Sequence, residues 1–176
     1  TPIKVIEYLL AQQGYQVGAE GGSDEKRKQL VDEIFAMQKR GVVFVEDLND
    51  VPEGSRIIFS AHGIPPEVVN TAQRRRLKYV DATCPLVTKV HKEAVKFSGQ
   101  NVDIVLIGHI GHQELVGTAG YVTPELLHIV ETENDVEKLA IDPQRTVAYI
   151  TQTTLSVDET KGIIDKLKRK FPKLIG

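Results

Sequence analysis

Apolar positions along the chain alternate between helical and strand spacing. Behind Thr1 and Pro2, an N-cap and a first-turn proline, Ile3, Ile6, Leu9 and Leu10 recur at helical intervals and predict a helix up to Gly14. Tyr15, Gln16 and Val17 predict a short strand, and Gly18, Gly21, Gly22 and Ser23 form a linker-like stretch after it. Over residues 24–40, Leu30, Val31, Ile34, Phe35 and Met37 share one helical face, and Gly41 supplies the stop. The β-branched and aromatic runs at 42–45 and 56–59 predict two strands, parted by the turn-forming Asn49, Asp50, Pro52 and Gly54.

Beyond residue 60 the alternation is regular. Helices are predicted over 66–76, 85–97, 135–139 and 157–171, and strands over 78–80, 103–107, 127–130 and 147–150. Ser156 and Glu159 have capping-box spacing at the start of the last helix, and Pro172 follows its end. Strands separated by helices imply crossover connections. The expected class is therefore α/β, with two small units of parallel sheet flanked by helices: residues 1–80 as an incomplete first unit and 81–176 as the second.

Composition narrows the function classes. A chain of 176 residues with 41% hydrophobic and 26% charged residues has ordinary globular make-up and can bury a core. The 22 basic residues are balanced by 24 acidic ones, and the net charge of -2 argues against nucleic acid or a membrane surface as partner. The longest apolar runs, such as 104–107, are too short to span a bilayer, and no signal-peptide pattern opens at Thr1. The single cysteine, Cys84, excludes an internal disulfide framework and fits a reducing compartment, which places the protein in the cytoplasm.

Ligands of parallel sheets bind beyond the carboxyl ends of strands, so the residues just after each predicted strand carry the candidate chemistry. Four segments qualify: Ser60-Ala61-His62-Gly63, Asp81-Ala82-Thr83-Cys84, Gly108-His109-Ile110-Gly111-His112-Gln113-Glu114, and Thr151-Gln152-Thr153-Thr154. Cys84 precedes Pro85 at a predicted helix start, where the helix dipole favours the thiolate that binds metal. A buried apolar cysteine is the other reading. His62 reads equally as a ligand or a turn cap. A glycine-rich turn with His112 and Glu114 offers donors to an anion and a proton-transfer group together, the alternative being a solvated loop. Gln152, Thr153 and Thr154 offer hydrogen bonds to an oxyanion or hydroxyl, although threonine before a helix is commonly a cap. His91 and His128, inside a predicted helix and strand, read as structural. Paired zinc-ligand spacings are absent from the sequence.

Four ordered motifs, Phe59-Ser60-Ala61-His62-Gly63, Asp81 through His91, Gly108 through His112 and Thr151 through Ser156, together resemble the 4-hydroxy-3-methylbut-2-enyl diphosphate reductase family. The resemblance runs from about Gly41 to Gly176. It implies part of a three-unit, pseudo-symmetric reductase arranged around a four-iron four-sulfur (4Fe-4S) cluster held by three cysteines, with Cys84 matching the second. It also implies the last step of non-mevalonate isoprenoid synthesis, in which two electrons and two protons remove an allylic hydroxyl to give isopentenyl and dimethylallyl diphosphates. The roles carried over are diphosphate binding for His62 and His112, proton relay for Glu114, and positioning of the hydroxyl and of Glu114 for Thr153, with Thr154 beside it at the substrate. Reduced ferredoxin or flavodoxin would be the electron donor.

The family's first cysteine loop, a histidine loop where residues 18–24 stand, and its third unit find no counterpart in this sequence. A lone thiolate cannot hold such a cluster. The chain by itself is expected to be inactive, with a homo-oligomer sharing three copies of Cys84 or additional segments restoring the cluster. The alternative is a cluster-free diphosphate-binding or structural α/β module.

Overall fold

Parallel strands cannot be joined by tight turns, so each successive strand needs a crossover, and this chain supplies a helix for every one. The computed structural model describes residues 32, 35–37, 39–45 and 47–176. The chain divides into two compact units, Thr1–Pro52 and Glu53–Gly176. The elements expected at 1–14, 15–17 and 18–23 lie outside the described residues.

In the first unit, residues 32, 35–37 and 39 are helical. Gly41 ends this helix at φ +86°, a left-handed conformation that lets the Val42 N–H return to the Met37 carbonyl at 3.1 Å. The strand expected over 42–45 does not form, and Val43 is 78% exposed. β-Propensity reports how well a side chain fits a pleated, half-buried surface, and no described strand pairs with this run.

The second unit runs β1 (Arg56–Phe59), α1 (Pro66–Arg74), β2 (Lys78–Asp81), α2 (Pro85–Gly99), β3 (Asp103–Ile107), α3 (Gln113–Ala119), β4 (Leu127–Val130), α4 (Glu133–Lys138), β5 (Val147–Thr151), α5 (Val157–Lys170) and β6 (Leu174–Ile175). All pairings are parallel: β1 with β2 in one sheet, and the order β4-β3-β5-β6 in the other. All five residues of β3 are buried, as in a central parallel strand covered on both faces. Its side chains alternate between two cores. Val105 and Ile107 join Val136, Ile163, Leu167 and Phe171 beneath α4 and α5, whereas Ile104 and Leu106 join Ala94, Leu115 and Ile150 beneath α2 and α3. Burying each large aliphatic side chain contributes about 1.5–3 kcal/mol.

The helix expected from 135 begins at Glu133, because Thr132 and Asp135 form a capping box. Ser156 and Glu159 form the box expected ahead of α5. α3 and β6 are elements the sequence pattern did not predict. Among the described residues no helix is long and apolar enough to cross a membrane.

Candidate functional site

The loops after β1, β2, β3 and β5 are tied to one another at the carboxyl ends of the strands. Glu114 lies in the first turn of α3, 1% exposed, rather than in a solvated loop. Both of its carboxylate oxygens are held from the β5 loop: the Thr153 N–H donates to Oε1 at 2.6 Å and the Thr153 hydroxyl to Oε2 at 2.9 Å. Thr153 is therefore no helix cap. A charge-assisted pair of this kind is the usual condition for keeping a carboxylate away from water.

His112 is the N-cap of α3, and its Nδ1 accepts the Glu114 N–H at 3.1 Å. That bond requires a bare Nδ1, so Nε2 carries the proton of the neutral ring. The His62 ring, from the loop after β1, meets the His112 ring edge-on, with centroids 5.5 Å apart and planes at 88°. Cys84 is the N-cap of α2; it is half-buried, unpaired to another cysteine, and makes no side-chain capping bond. Its N–H donates to the Ala61 carbonyl at 2.9 Å, which binds the β2 loop to the segment carrying His62.

Gln152 is an organising residue that the sequence reading mentioned only for its donors. It is 3% exposed, accepts the His109 N–H at 3.1 Å and donates to the Thr154 hydroxyl at 2.6 Å, joining the β3 and β5 loops. Gly108 makes room for it: a Cβ there would stand 2.9 Å from Gln152 Oε1 and 2.4 Å from Leu115 Cδ1. A glutamine directly after a buried strand was the available signal. Asp81 accepts from the Thr83 hydroxyl and N–H, which hold its carboxyl below the ordinary range. His109 instead pairs with Glu131 at 3.1 Å.

His91 and His128 stand apart from this cluster of side chains. His91 is 7% exposed and stacks on Tyr121 at 4.3 Å; burial pushes its imidazole below the ordinary value, with Asp81 pulling weakly the other way. His128 pairs with Asp103 at 3.0 Å, at the opposite, amino end of β3. Arg145 Nε lies 2.6 Å from the other oxygen of Asp103, an ion pair rather than an aligned hydrogen bond. Among the described residues, no group of three or more His, Cys, Asp or Glu could hold a metal ion.

These features define an α/β protein in which a histidine pair and a clasped, buried carboxylate meet at the carboxyl ends of parallel strands. A family model described as LytB protein matches residues 28–176, and the chain belongs to the LytB family. The 4-hydroxy-3-methylbut-2-enyl diphosphate reductase of Nitrosomonas europaea is 44% identical over 179 residues, covering 99% of this chain and 53% of that protein. The enzyme of the same name from a Psychrobacter species is 51% identical over 146 residues, 81% of this chain and 46% of the relative. Among solved structures, the E-1-hydroxy-2-methyl-but-2-enyl-4-diphosphate reductase of Plasmodium falciparum superposes with a TM-score of 0.75 at 46% identity, over 80% of this chain and 45% of that one. A second reductase structure, described as the terminal enzyme of the non-mevalonate pathway, gives 0.69 at 29% identity, over 82% of this chain and 52% of that one. The chain spans about half the length of the curated relatives it matches.

Proposed function

We propose that this chain carries the substrate-binding and proton-handling part of a 4-hydroxy-3-methylbut-2-enyl diphosphate reductase. His62 and His112 take the diphosphate, since imidazole N–H groups donate to phosphate oxygens and add positive charge when protonated. Glu114 relays protons toward the leaving hydroxyl. Thr153 keeps that carboxylate in place, and Thr153 and Thr154 flank the substrate hydroxyl. The observation that carries the reading is the clasp of Glu114 by Thr153 at 2.6 and 2.9 Å, directly beside the His62 and His112 pair.

Cys84 fits as one thiolate of a four-iron four-sulfur cluster, but the residues present do not fit the whole group. The remaining ligands must come from outside these 176 residues or from further copies of Cys84 in a homo-oligomer. When bound, such a cluster would supply the electrons, delivered by a reduced ferredoxin or flavodoxin. A cytoplasmic setting suits the free cysteine.

Calorimetry with inorganic diphosphate tests the substrate side. The double variant H62A/H112A should lose binding at least about tenfold while E114Q stays within a few-fold, because only the histidines face phosphate. Unchanged affinity in the double variant would refute the assignment. A second reading is a cluster-free diphosphate-binding or structural module. Iron and acid-labile sulfide after anaerobic reconstitution, measured with native mass, separate the two: about four irons per trimer, abolished by Cys84→Ala, would mark a shared cluster.

A further inference from the structure

The segment that carries His62 packs against two helices through contacts that the proposed reaction does not use. Gly63 adopts φ +79°, and a Cβ on it would stand 2.6 Å from His91 Cε1 and 2.9 Å from Val87 Cγ1, so α2 presses directly on the backbone next to His62. A Cβ on Gly117 of α3 would stand 3.2 Å from both the carbonyl carbon and the carbonyl oxygen of Gly63. One turn on, a Cβ on Gly120 would stand 2.5 Å from Pro65 Cβ. The backbone at Gly63 thus packs closely on both the imidazole of His91 and the glycine face of the helix whose N-cap is His112.

His91 is suited to this packing. It is 7% exposed, its flat ring stacks on Tyr121 with planes 25° apart, and its Nε2 has no hydrogen-bond partner. The ring reaches Gly63 through van der Waals contact while stacking on Tyr121, so it acts on that backbone by its shape. Small movements at Gly63 act directly on the neighbouring His62, and small movements of α3 act directly on His112.

We infer that His91 and Gly117 are positioning residues for the histidine pair: by both packing on Gly63 they set the spacing of His62 and His112. Neither touches the ligand. The inference rests on the diphosphate reading for its purpose, but the spacing itself is measurable without any ligand. His91→Ala opens the slot beneath Gly63, and Gly117→Ala pushes α3 away from its carbonyl.

The test is the nuclear Overhauser effect between the His62 and His112 ring protons in the full chain, measured alongside inorganic diphosphate affinity and melting temperature. Val136→Ala, in the core beneath α4 and α5, serves as a control for general destabilisation. H91A and G117A should lower the cross-peak measurably, because its intensity falls steeply with separation, and weaken inorganic diphosphate about tenfold, as expected when binding groups are displaced by a fraction of their spacing. V136A should keep both at an equal or larger loss of melting temperature. A cross-peak of full intensity in both H91A and G117A, or an equal loss in V136A, would overturn the inference. Should H91A fail to fold, G117A alone decides, since its added methyl meets a contact only slightly too close. If the unaltered chain binds no diphosphate while the cross-peak responds as expected, the substrate assignment falls and the positioning role stands.

Discussion

Replacing Thr153 by valine removes one hydroxyl and leaves the shape of the side chain almost unchanged. Thr153 is exposed, so the added methyl meets no packed core, and the Thr153 N–H still reaches Glu114 Oε1 at 2.6 Å. What is lost is the 2.9 Å hydrogen bond to Oε2 of a carboxylate that is 1% exposed. A hydrogen bond to a charged group contributes about 1.5–3 kcal/mol, and the buried oxygen left behind finds little water. The expected loss is therefore about 2 kcal/mol, or about 1 M in urea midpoint for a slope near 2 kcal/mol/M. Urea unfolding of the unaltered chain, T153V, E114Q and the double variant completes a cycle. Because Thr153 and Glu114 are in direct contact, the coupling should be at least about 1 kcal/mol. A coupling near zero with an unshifted T153V midpoint would show that the clasp does not hold the carboxylate, and would remove the ground for giving Glu114 a fixed role.

The pH dependence of stability should carry a mark of His91. Its folded imidazole lies below the ordinary 6.5, so the unfolded chain binds the proton more readily. The stability it confers is full above 6.5 and falls as pH drops through 6.5 toward the folded value. Urea midpoints should decline over that window, and decline less in H91A; identical slopes would refute the assignment. Leu106→Ala, at a site 1% exposed in the α2 and α3 core, should cost about 2–5 kcal/mol by urea unfolding. Ser156→Ala removes the oxygen that accepts the Glu159 N–H at 3.2 Å and should cost about 0.5–2 kcal/mol, read in the same way.

Strands with a long unbroken apolar run were legible in the sequence because nothing but burial on two faces explains them. Residues 103–107 were placed at their observed bounds for that reason. Residues 42–45 have the same composition but form no strand, which shows that pairing, not propensity, decides short runs. α3 was missed because Gly117 is a poor helix former and the helix is only 7 residues long. That glycine, 3.2 Å by its would-be Cβ from Gly63, is there for close approach, which no local pattern reveals. At the site, His62, His112, Glu114 and Thr153 were named from their positions after strands. The burial of Glu114 and the bridging by Gln152 depend on which loops become neighbours, a property of the sheet order β4-β3-β5-β6.

The register of that sheet carries a consequence for assembly of the chain. β3 and β5 are aligned so that Ile107 lies opposite Thr151, with Thr153 two residues further on. A slip of one residue would displace β5 by about 3.3 Å and turn its side chains to the wrong faces. Thr153 would then miss Glu114, leaving a desolvated carboxylate with no donor on either oxygen. The clasp thus works as a proofreading contact: a misaligned sheet is penalised at a buried carboxylate, so chains that reach a stable fold are those whose β3 and β5 loops are already in register with one another.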